Sequence, residues 1–370
     1  MTKKITYVFS GGREQRLNID NQPSEFFYSY HNFKKSGNQM NIIEFKESKN
    51  IFSILFKFID KSFQKLVNIP MYSNSITNIK NFKTLYSSEH IIFVNESTFF
   101  SSLFLLIFIR LFKNPRISLF VMGLFSKKIS YDSLKFLHSS MVKLLIFLCN
   151  DLFFLGKGEL SIAIKNYGEN DKFIYIPFSV DTNFWKPENK YNYAKNKQIL
   201  FIGNDGNRNF KLLEDLISSN PDLPFRVITD FDNFRSKNYS NLELSSGNWR
   251  QNKISDVELK QIYEISRIVI IPLKESFQPS GQSVALQAMS LGIPVVISLT
   301  DGFWDIDKFK NKDNIYFIKE NYIEEWNNQI KSIYNNESLL QKLSSGSRQN
   351  IIANYSIAQM HEKILERLNH

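Results

Sequence analysis

Short, unbroken apolar runs alternate with helical segments along the whole chain, and this alternation constrains the fold more than any other feature of the sequence. In the first half, strand-like runs cover residues 5–10, 40–45, 90–94, 117–121, 152–155 and 172–176. Apolar runs of this kind are typical of parallel strands that are buried on both sides. The order therefore predicts an α/β protein whose parallel sheet carries helices on both faces.

The alternation restarts after a turn-rich linker over residues 177–197. Strand-like runs then occupy residues 198–202, 225–229, 268–273 and 294–298, and the tail is helical. We predict two Rossmann-like, doubly wound domains, residues 1–180 and 181–370, each large enough to bury its own core.

Net charge separates the two halves. Residues 1–180 contain 23 Lys and Arg against 13 Asp and Glu, whereas residues 181–370 contain 23 of each. A surplus confined to one half favours an anionic partner such as a membrane surface. No recognition-helix or RNA-binding signature is present, so we expect no nucleic acid. The single cysteine, Cys149, and an N-terminal apolar run too short for a signal peptide lead us to expect a cytoplasmic protein.

The stretch ESFQPSGQSVALQAMSLGIPVVIS, residues 275–298, joins a polar loop to an apolar helix and a further strand. The loop leaves the carboxyl end of the predicted strand 268–273, where open α/β sheets bind their ligands. Ser280, Gly281, Gln282 and Ser283 stand at the helix start. Free N–H groups and the positive dipole end favour a phosphate there.

Helical spacing assigns the two sides of this helix. Val284 and Ala288 lie one turn apart and are expected to face the core. Ser280, Ser283 and Gln287 are then expected to line the ligand side. The alternative is an ordinary capped helix of an α/β core, although the loop has more Gly, Ser and Gln than a cap requires.

A second strand–loop–helix stretch is FIGNDGNRNFKLLEDL at residues 201–216. Its loop begins with Gly203 and Asn204, and Arg208 stands at the helix start, where a guanidinium can hold a diphosphate through two hydrogen bonds. The stretch lacks the full GxGxxG dinucleotide fingerprint. Two helix starts of phosphate-binding type, with Arg208 between them, predict a nucleotide diphosphate as the ligand.

The chain resembles the GT-B glycosyltransferases of the large retaining family 4. Residues 275–298 are similar to the family signature E-x7-E-AM-x-x-G-x-PVV, residues 173–187 (FIYIPFSVDTNFWKP) to its interdomain segment, and residues 355–368 (YSIAQMHEKILERL) to its terminal helix. The resemblance implies two Rossmann-like domains that face each other across a cleft, with the C-terminal helix crossing back to the N-terminal domain. It also implies that the first domain binds the acceptor and the second the donor.

Residues that match the family's donor site are expected to bind a UDP- or GDP-sugar. The resemblance aligns Arg208 with a basic diphosphate ligand and Gln287 with a glutamate that holds the ribose. Ser280 to Val284 align with the backbone around the donor sugar and phosphates. Further donor contacts are expected from Gly11, Gly12, Gly203, Asn204, Asn248 and Trp249.

Several family residues are replaced in this sequence. The first signature glutamate falls on Pro279 and the second on Gln287, while an arginine of the donor loop is Asn204. Glu275 is expected to supply a carboxylate from the loop, and Glu96 is expected to have a polar role in the first domain. For Glu96, a carboxylate that only stabilises a helix start is an equal alternative. The candidate catalytic residues are Arg208, Glu275 and Glu96.

The expected chemistry places growing negative charge on a leaving diphosphate, which Arg208 and the two helix starts are suited to stabilise. The resemblance implies retention without a protein nucleophile and without a required metal. The sequence has no His, Cys and Asp cluster at ligand spacing. The triplets DFD (230–232) and DID (305–307) are an alternative metal motif, but such triplets arise by chance in a chain this rich in Asp.

The first domain is expected to hold a glycan or lipid-linked acceptor. In the predicted helix over residues 51–69, Lys57, Lys61 and Lys65 form a stripe beside an apolar surface that begins at Ile51 and Phe52. This pattern suits a helix that lies on anionic lipid, and an ordinary packed amphipathic helix is the alternative. The apolar stretch 99–112 is too short to cross a bilayer and is predicted to be a buried helix.

The leading interpretation is a metal-independent, hexosyltransferase-type enzyme of bacterial surface polysaccharide synthesis, peripheral on the cytoplasmic face of the membrane. A sugar-nucleotide epimerase or a phosphorylase on the same scaffold is a second interpretation, but the sequence does not show the carboxylate–histidine set or the pyridoxal-binding lysine that these need. A non-catalytic carbohydrate- or nucleotide-binding module is a third, because Pro279 and Gln287 replace acids.

Overall fold

The computed structural model describes residues 2–46, 53–127, 132–231, 238–247 and 253–369. Within these residues the chain forms two compact units, and neither is one continuous stretch of sequence. Unit 1 comprises residues 2–19, 27–176 and 361–369, and unit 2 comprises residues 20–26 and 177–360. The main division lies close to the predicted boundary at residue 180. The inclusion of residues 20–26 in unit 2 has no counterpart in the sequence pattern.

Unit 1 is built on a parallel sheet with six strands in its described residues. The strands are β1 (Lys4–Phe9), β2 (Gln39–Glu44), β3 (His90–Phe93), β4 (Arg116–Val121), β5 (Asp151–Phe154) and β6 (Phe173–Tyr175). Their order across the sheet is β2-β1-β3-β4-β5-β6, and each neighbouring pair is parallel. All six occur where the apolar runs predict them, because β3, β4 and β5 are apolar enough to be buried along nearly their whole length.

The helices of unit 1 connect these strands. They are α1 (Tyr30–Lys35), α2 (Ser53–Val67), α3 (Ile79–Tyr86), α4 (Glu96–Ser101), α5 (Leu103–Arg110), α6 (Asp132–Leu148) and α7 (Lys157–Tyr167). Side chains of α2 to α7 share one hydrophobic core with the sheet, among them Leu106 of α5 and Leu145 of α6. Burial of this apolar surface is the main force that holds the helices to the sheet.

Unit 2 repeats this arrangement. Its strands are β7 (Gln198–Ile202), β8 (Phe225–Ile228), β9 (Leu242–Ser245), β10 (Ser266–Ile271), β11 (Val295–Ser298) and β12 (Tyr316–Ile318). Their order is β12-β11-β10-β7-β8-β9, again parallel throughout. The central pair β10 and β7 therefore brings the loops that follow these two strands to the same edge of the sheet.

The helices of unit 2 end with the C-terminal helix of the chain. They are α8 (Phe210–Ser219), α9 (Asp256–Glu264), α10 (Gln282–Ser290), α11 (Ile323–Tyr334), α12 (Glu337–Asn354) and α13 (Ile357–Asn369). The end of α13 is part of unit 1, where Arg367 Nε lies 3.5 Å from Asp151 Oδ1 and Lys3 Nζ donates to Leu368 O at 2.9 Å. A helix that returns to the first unit is what the sequence predicts. Among the described helices, none combines the length and the apolar character needed to cross a bilayer.

Candidate functional site

The loops after β7 and β10 lie against each other in unit 2. The Asn209 backbone N–H donates to Pro272 O at 2.9 Å, and the Lys274 N–H donates to Asn207 O at 2.8 Å. Farther along, Asn207 Nδ2 donates to Ser280 Oγ at 2.8 Å. The two predicted helix starts are therefore neighbours, because β7 and β10 are adjacent strands.

The Arg208 side chain fills the space between two glycines, one from each loop. A Cβ on Gly203 would lie 2.2 Å from Arg208 Nε, and a Cβ on Gly281 would lie 2.8 Å from an Arg208 terminal nitrogen. Such distances are far below van der Waals contact, so only glycine fits at either position while the guanidinium stays where it is. Arg208 is 3% exposed. The structure thus brings Arg208 and the Ser280–Ser283 turn together, as the sequence predicts.

The Arg208 guanidinium is buried with unused hydrogen-bond donors. Nε and one terminal nitrogen have no hydrogen-bond partner, and the Asp205 carboxylate lies 3.4 Å from Nε while being about half exposed itself. Burial lowers the pKa of Arg208, and the charge of Asp205 opposes that shift. A buried cation with free donors is costly unless an acceptor completes it, so this position favours an anionic ligand.

The N-terminus of α10 adds a second positive feature beside Arg208. Its N-cap residue is Gly281, with φ of 74°, and no side chain caps the helix there. The first N–H groups of a helix have no partner within the helix and carry its positive dipole end. Gln282, Ser283 and Val284 supply these groups within reach of the Gly281–Arg208 contact.

The sides of α10 differ from the sequence-based assignment. Val284 and Ala288 are buried, as predicted. Gln287, which we predicted on the ligand side, is only 5% exposed, and its amide is engaged within unit 2. Its Nε2 donates to Glu25 Oε1 at 3.0 Å, and its Oε1 accepts from the Tyr263 hydroxyl at 3.2 Å. Gln287 is therefore buried in unit 2, because α10 is covered on nearly all sides, and its donor contact stays a prediction.

Glu25 is the residue of this network that the sequence does not indicate. It is fully buried, and its Oε1 also accepts from Trp185 Nε1 at 2.7 Å. Burial raises its pKa from 4.5 to about 7, although hydrogen bonds from Gln287 and Trp185 oppose the shift. Glu25 lies 262 positions from Gln287 in the sequence, and no motif links them. A buried carboxyl therefore stands beside Gln287.

Glu275, a candidate catalytic residue, holds the next loop in place. Its side chain is exposed, and Oε1 accepts from the Asp301 N–H at 2.8 Å and from the Ser276 N–H at 3.2 Å. Gly302 lies so close to residues 276–278 that a Cβ there would meet their backbone at 2.4 Å. These contacts explain Glu275 as a residue that joins two loops, and its catalytic role stays a prediction.

Asn204 links the loops after β7, β8 and β9. Its Oδ1 accepts from the Asp230 N–H at 2.6 Å and the Thr229 hydroxyl at 3.1 Å, and its Nδ2 donates to Gly247 O. The side chain thus joins neighbouring loops along the edge of the sheet. Its contact with the sugar donor stays a prediction. Asn248 and Trp249, predicted to contact the base, lie outside the described residues.

The predicted site residues of unit 1 hold loops at the carboxyl ends of β1 and β4. Gly11 and Gly12, both with positive φ, follow β1, beside Ser10, whose Oγ accepts from Asn95 Nδ2 at 2.9 Å. Glu96 is buried at the start of α4 and accepts from the Met122 and Leu124 N–H groups. The helix-start alternative for Glu96 fits these contacts. The donor contacts of Gly11 and Gly12 and the catalytic role of Glu96 stay predictions.

A buried partner of Glu96 was not predicted. Glu159 of α7 accepts from the Gly123 and Phe125 N–H groups at 2.9 and 3.0 Å, on the same loop after β4. Burial and the charge of Glu96 raise the pKa of Glu159 to about 8, and burial also raises the pKa of Glu96. Two carboxyl groups thus fix one loop through its backbone.

One cavity of unit 2 lies beside the loop that carries Arg208, and two others lie away from it. A cavity of about 310 Å³ borders the same loop, between residues 204–206, α8, Phe231 and Lys274. Two larger cavities of about 570 and 600 Å³ lie around residues 187–196 and Leu291, at the opposite end of α10.

No group of three His, Cys, Asp or Glu suited to hold a metal occurs in the part of the chain that the structure describes. Asp305 of the DID triplet is buried and accepts from the Tyr355 hydroxyl at 3.1 Å, whereas Asp232 of DFD lies outside the described residues.

Comparison with known proteins finds a family similarity in the second half of the chain. Residues 186–350 match the sequence model of the family described as Glycosyl transferases group 1, and this range contains both loops that meet at Arg208. The chain is similar to the glycosyl transferases group 1 family over residues 186–350. No curated protein matches the chain in sequence.

Solved structures extend the likeness of the group 1 domain to the fold of the whole chain. The Anabaena protein Alr3699/HepE in complex with UDP-glucose is 12% identical, with a TM-score of 0.69 and 99% of both chains covered. TarM is 13% identical, with a TM-score of 0.68 and coverage of 100% and 99%. A glycosyltransferase from Rickettsia africae is 16% identical, with a TM-score of 0.65 and coverage of 99% and 97%. The fold is therefore the GT-B fold that the sequence predicts.

Proposed function

We propose that the chain is a glycosyltransferase that moves a sugar from a nucleotide diphosphate sugar to a glycan or lipid-linked acceptor. The observation that carries this proposal is the Arg208 guanidinium, which is 3% exposed, has two nitrogens without hydrogen-bond partners and lies against Gly281 at the start of α10. A diphosphate fits this position because it brings both negative charge and acceptor oxygens.

In this mechanism, Arg208 and the first N–H groups of α10 stabilise the leaving diphosphate. Negative charge grows on the phosphate oxygen as the bond to the sugar breaks, and fixed positive groups lower the barrier most when they need not rearrange. Gly203 and Gly281 leave the space that the guanidinium occupies before the donor arrives. We propose transfer with retention and without a protein nucleophile, as the family 4 resemblance implies. We also propose that no metal is needed, because Arg208 and α10 supply the positive charge.

Solved relatives support a UDP-sugar as the donor. The Anabaena protein was crystallised with UDP-glucose, and a TarM variant from S. aureus with UDP and alpha-GlcNAc-glycerol. We propose a UDP-hexose for this chain on that basis, with a GDP-sugar as the second choice. The basic surplus of residues 1–180 supports an acceptor that is presented at an anionic surface, as in the synthesis of bacterial surface polysaccharides.

The test is a panel of nucleotide sugars, read by thermal shift and by release of nucleotide. We expect at least one UDP-sugar to raise the melting temperature of the full chain and to be hydrolysed slowly, with a large increase in rate once an acceptor is added. Binding without any turnover across a panel of acceptor glycans would favour the non-catalytic module. The absence of any shift with UDP-sugars, GDP-sugars and free UDP would refute the proposal.

A further inference from the structure

The outward side of α5 is apolar. Phe104, Ile107, Phe108 and Leu111 follow the helical spacing i, i+3, i+4 and i+7, and their side chains are 43%, 43%, 52% and 70% exposed. The inward side is apolar as well, with Leu106 and Ile109 fully buried. The prediction of a buried helix over residues 99–112 is therefore right for one side of α5 and wrong for the other. A surface helix normally has a polar outer side, so this helix lacks the side that would face water.

The exposed apolar surface continues onto neighbouring helices. The Phe56 ring of α2 lies 6.2 Å from the Phe104 ring, and the Phe82 ring of α3 lies 5.6 Å from the Phe108 ring. Phe58 of α2 is 71% exposed, more than most of the α5 residues. We call this surface the aromatic face and define it by Phe104, Ile107, Phe108, Leu111 and Phe112. Contiguous apolar patches of this kind on a water-exposed surface mark interaction sites.

The charges around the aromatic face are positive. Lys57, Lys61 and Lys65 are exposed on α2, and their spacing places them on the side of that helix next to Phe58. Lys80 and Lys83 are exposed on α3, and Lys113 follows α5. The sequences of α2, α3 and α5 contain one acidic residue, Asp60, which is 5% exposed. The surface is thus apolar at its centre, basic at its edges and nearly free of exposed carboxylates.

We propose that the aromatic face docks on an anionic lipid bilayer. The side chains of the aromatic face enter the interface between head groups and acyl chains, and the lysines meet the lipid phosphates. Charge complementarity selects this partner, because a second copy of the chain would bring one basic rim against another. The inference does not rest on the transferase activity, although it would place unit 1 where a lipid-linked acceptor is found.

The test is co-flotation of the full chain with vesicles of phosphatidylcholine, with and without phosphatidylglycerol, at low and high salt. We expect flotation with the anionic vesicles, weakened by salt. Leu111→Glu with Phe112→Glu should reduce vesicle binding roughly tenfold or more per side chain. The matched control is Ile265→Glu with Ile306→Glu, which changes two comparably exposed apolar residues in unit 2. It should float as the unaltered chain does.

A second pair of variants tests the charges. Replacing Lys57, Lys61 and Lys65 by Gln should weaken binding to anionic vesicles roughly fivefold per lysine. The control replaces Lys310, Lys319 and Lys331, which are exposed in unit 2. Circular dichroism and thermal melting verify that each variant folds. Flotation lost equally in variants and controls, no flotation of the unaltered chain, or self-association that the Leu111 and Phe112 changes abolish without any vesicle binding would each overturn the proposal.

Discussion

Arg208 is a charged side chain placed where it costs the free protein stability. Its guanidinium is desolvated, and its carboxylate neighbour, Asp205, is half exposed and 3.4 Å away. A buried charge that is only partly compensated is tolerated where binding of a ligand repays the cost. The same residue is thus expected to weaken the empty protein and to strengthen the complex.

This conflict makes Arg208→Met an informative variant. Methionine keeps much of the volume and removes the charge, so the free energy of unfolding should rise by about 1 kcal/mol or more. The catalytic efficiency kcat/KM with the best UDP-sugar should fall roughly 10²- to 10³-fold, because a fixed cation at the leaving group is lost. Urea denaturation and steady-state kinetics measure the two effects. A destabilised variant with normal kinetics would contradict both the burial cost and the phosphate role.

The environment of Gln287 could not be predicted from the sequence, although the neighbourhood of Arg208 could. The sequence predicted that Arg208 and the Ser280–Ser283 turn meet, because both stand at helix starts of phosphate-binding type that were expected to share one ligand. It did not predict the orientation of Gln287, since its partner Glu25 comes from a segment far along the chain. Helical spacing identifies opposite sides of a helix, but it cannot tell that both sides are covered.

Glu25 predicts a specific dependence of stability on pH. Its pKa is about 7 in the folded protein against 4.5 as the ordinary value, so the neutral form is favoured by folding. The stabilisation is complete below about pH 4.5 and is lost as the pH rises to about 7. The loss approaches an upper bound of about 3 kcal/mol, since one pKa unit corresponds to 1.36 kcal/mol.

Glu25→Gln isolates this contribution, because an amide accepts the bonds of Trp185 and Gln287 without titrating. Comparison with the variant is needed since Glu159 titrates in a similar range. Urea midpoints of both proteins at about pH 5 and about pH 8 should show a larger decrease for the unaltered chain. Parallel decreases would mean that Glu25 does not titrate in this window.

At the scale of elements, the start of α10 depends on a glycine in the left-handed region. In Gly281→Ala, the new methyl group would meet Ile271 Cγ2 at 2.6 Å and the Arg208 guanidinium at 2.8 Å, at a φ of 74°. We expect a loss of about 2 kcal/mol or more in the free energy of unfolding, together with loss of the thermal shift by UDP-sugar. The expected displacement of Arg208 links the two effects.

Gly206→Ala is the matched control for this change, since it lies in the facing loop with no atom near the new methyl group. Its stability should stay within about 0.5 kcal/mol of the unaltered chain, with donor binding retained. Thermal melting with and without UDP-sugar compares the pair. Equal behaviour of the two variants would refute the close packing of Gly281 on Arg208.

Elements were predictable where packing agrees with local pattern. The buried strands β3, β4, β7 and β10 were found from their apolar runs. The edge strands β9, of four residues, and β12, of three, were missed. The single helix predicted over residues 99–112 is divided at Ser102, where α4 ends and α5 begins. There the hydroxyls of Ser101 and Ser102 donate to the carbonyls of Ser97 and Thr98, which competes with regular helix geometry.

For the whole molecule, the alternation of strands and helices was sufficient to predict two Rossmann-like domains, because right-handed crossover connections leave few ways to arrange such a chain. The GT-B fold itself was implied by the resemblance to family 4. Exposure could not be predicted in the same way. The sequence of an apolar helix does not show whether its outer side contacts protein, lipid or water. The outward residues of α5 were therefore assigned to the core. The structure was needed to separate burial from composition.

A whole-molecule prediction concerns metal ions. Because Arg208 and the start of α10 are proposed to balance the leaving diphosphate, transfer from UDP-sugar should proceed in excess EDTA at no less than about half the rate seen with Mg²⁺ or Mn²⁺. Initial rates after chelation and after metal addition measure this. Full loss in EDTA with recovery on adding a divalent cation would contradict it.

The interleaving of the two units along the chain limits how the molecule can be recombined. Residues 20–26 carry Glu25 into unit 2, and residues 361–369 return to unit 1. Consider a chimera in which everything after residue 177 comes from another transferase. Its Glu25 carboxyl would contact side chains of the other protein, and its C-terminal helix would pack on a sheet from a different sequence. Modular shuffling of such a protein requires four junctions, after residues 19, 26, 176 and 360, and a single crossover is expected to yield insoluble hybrids.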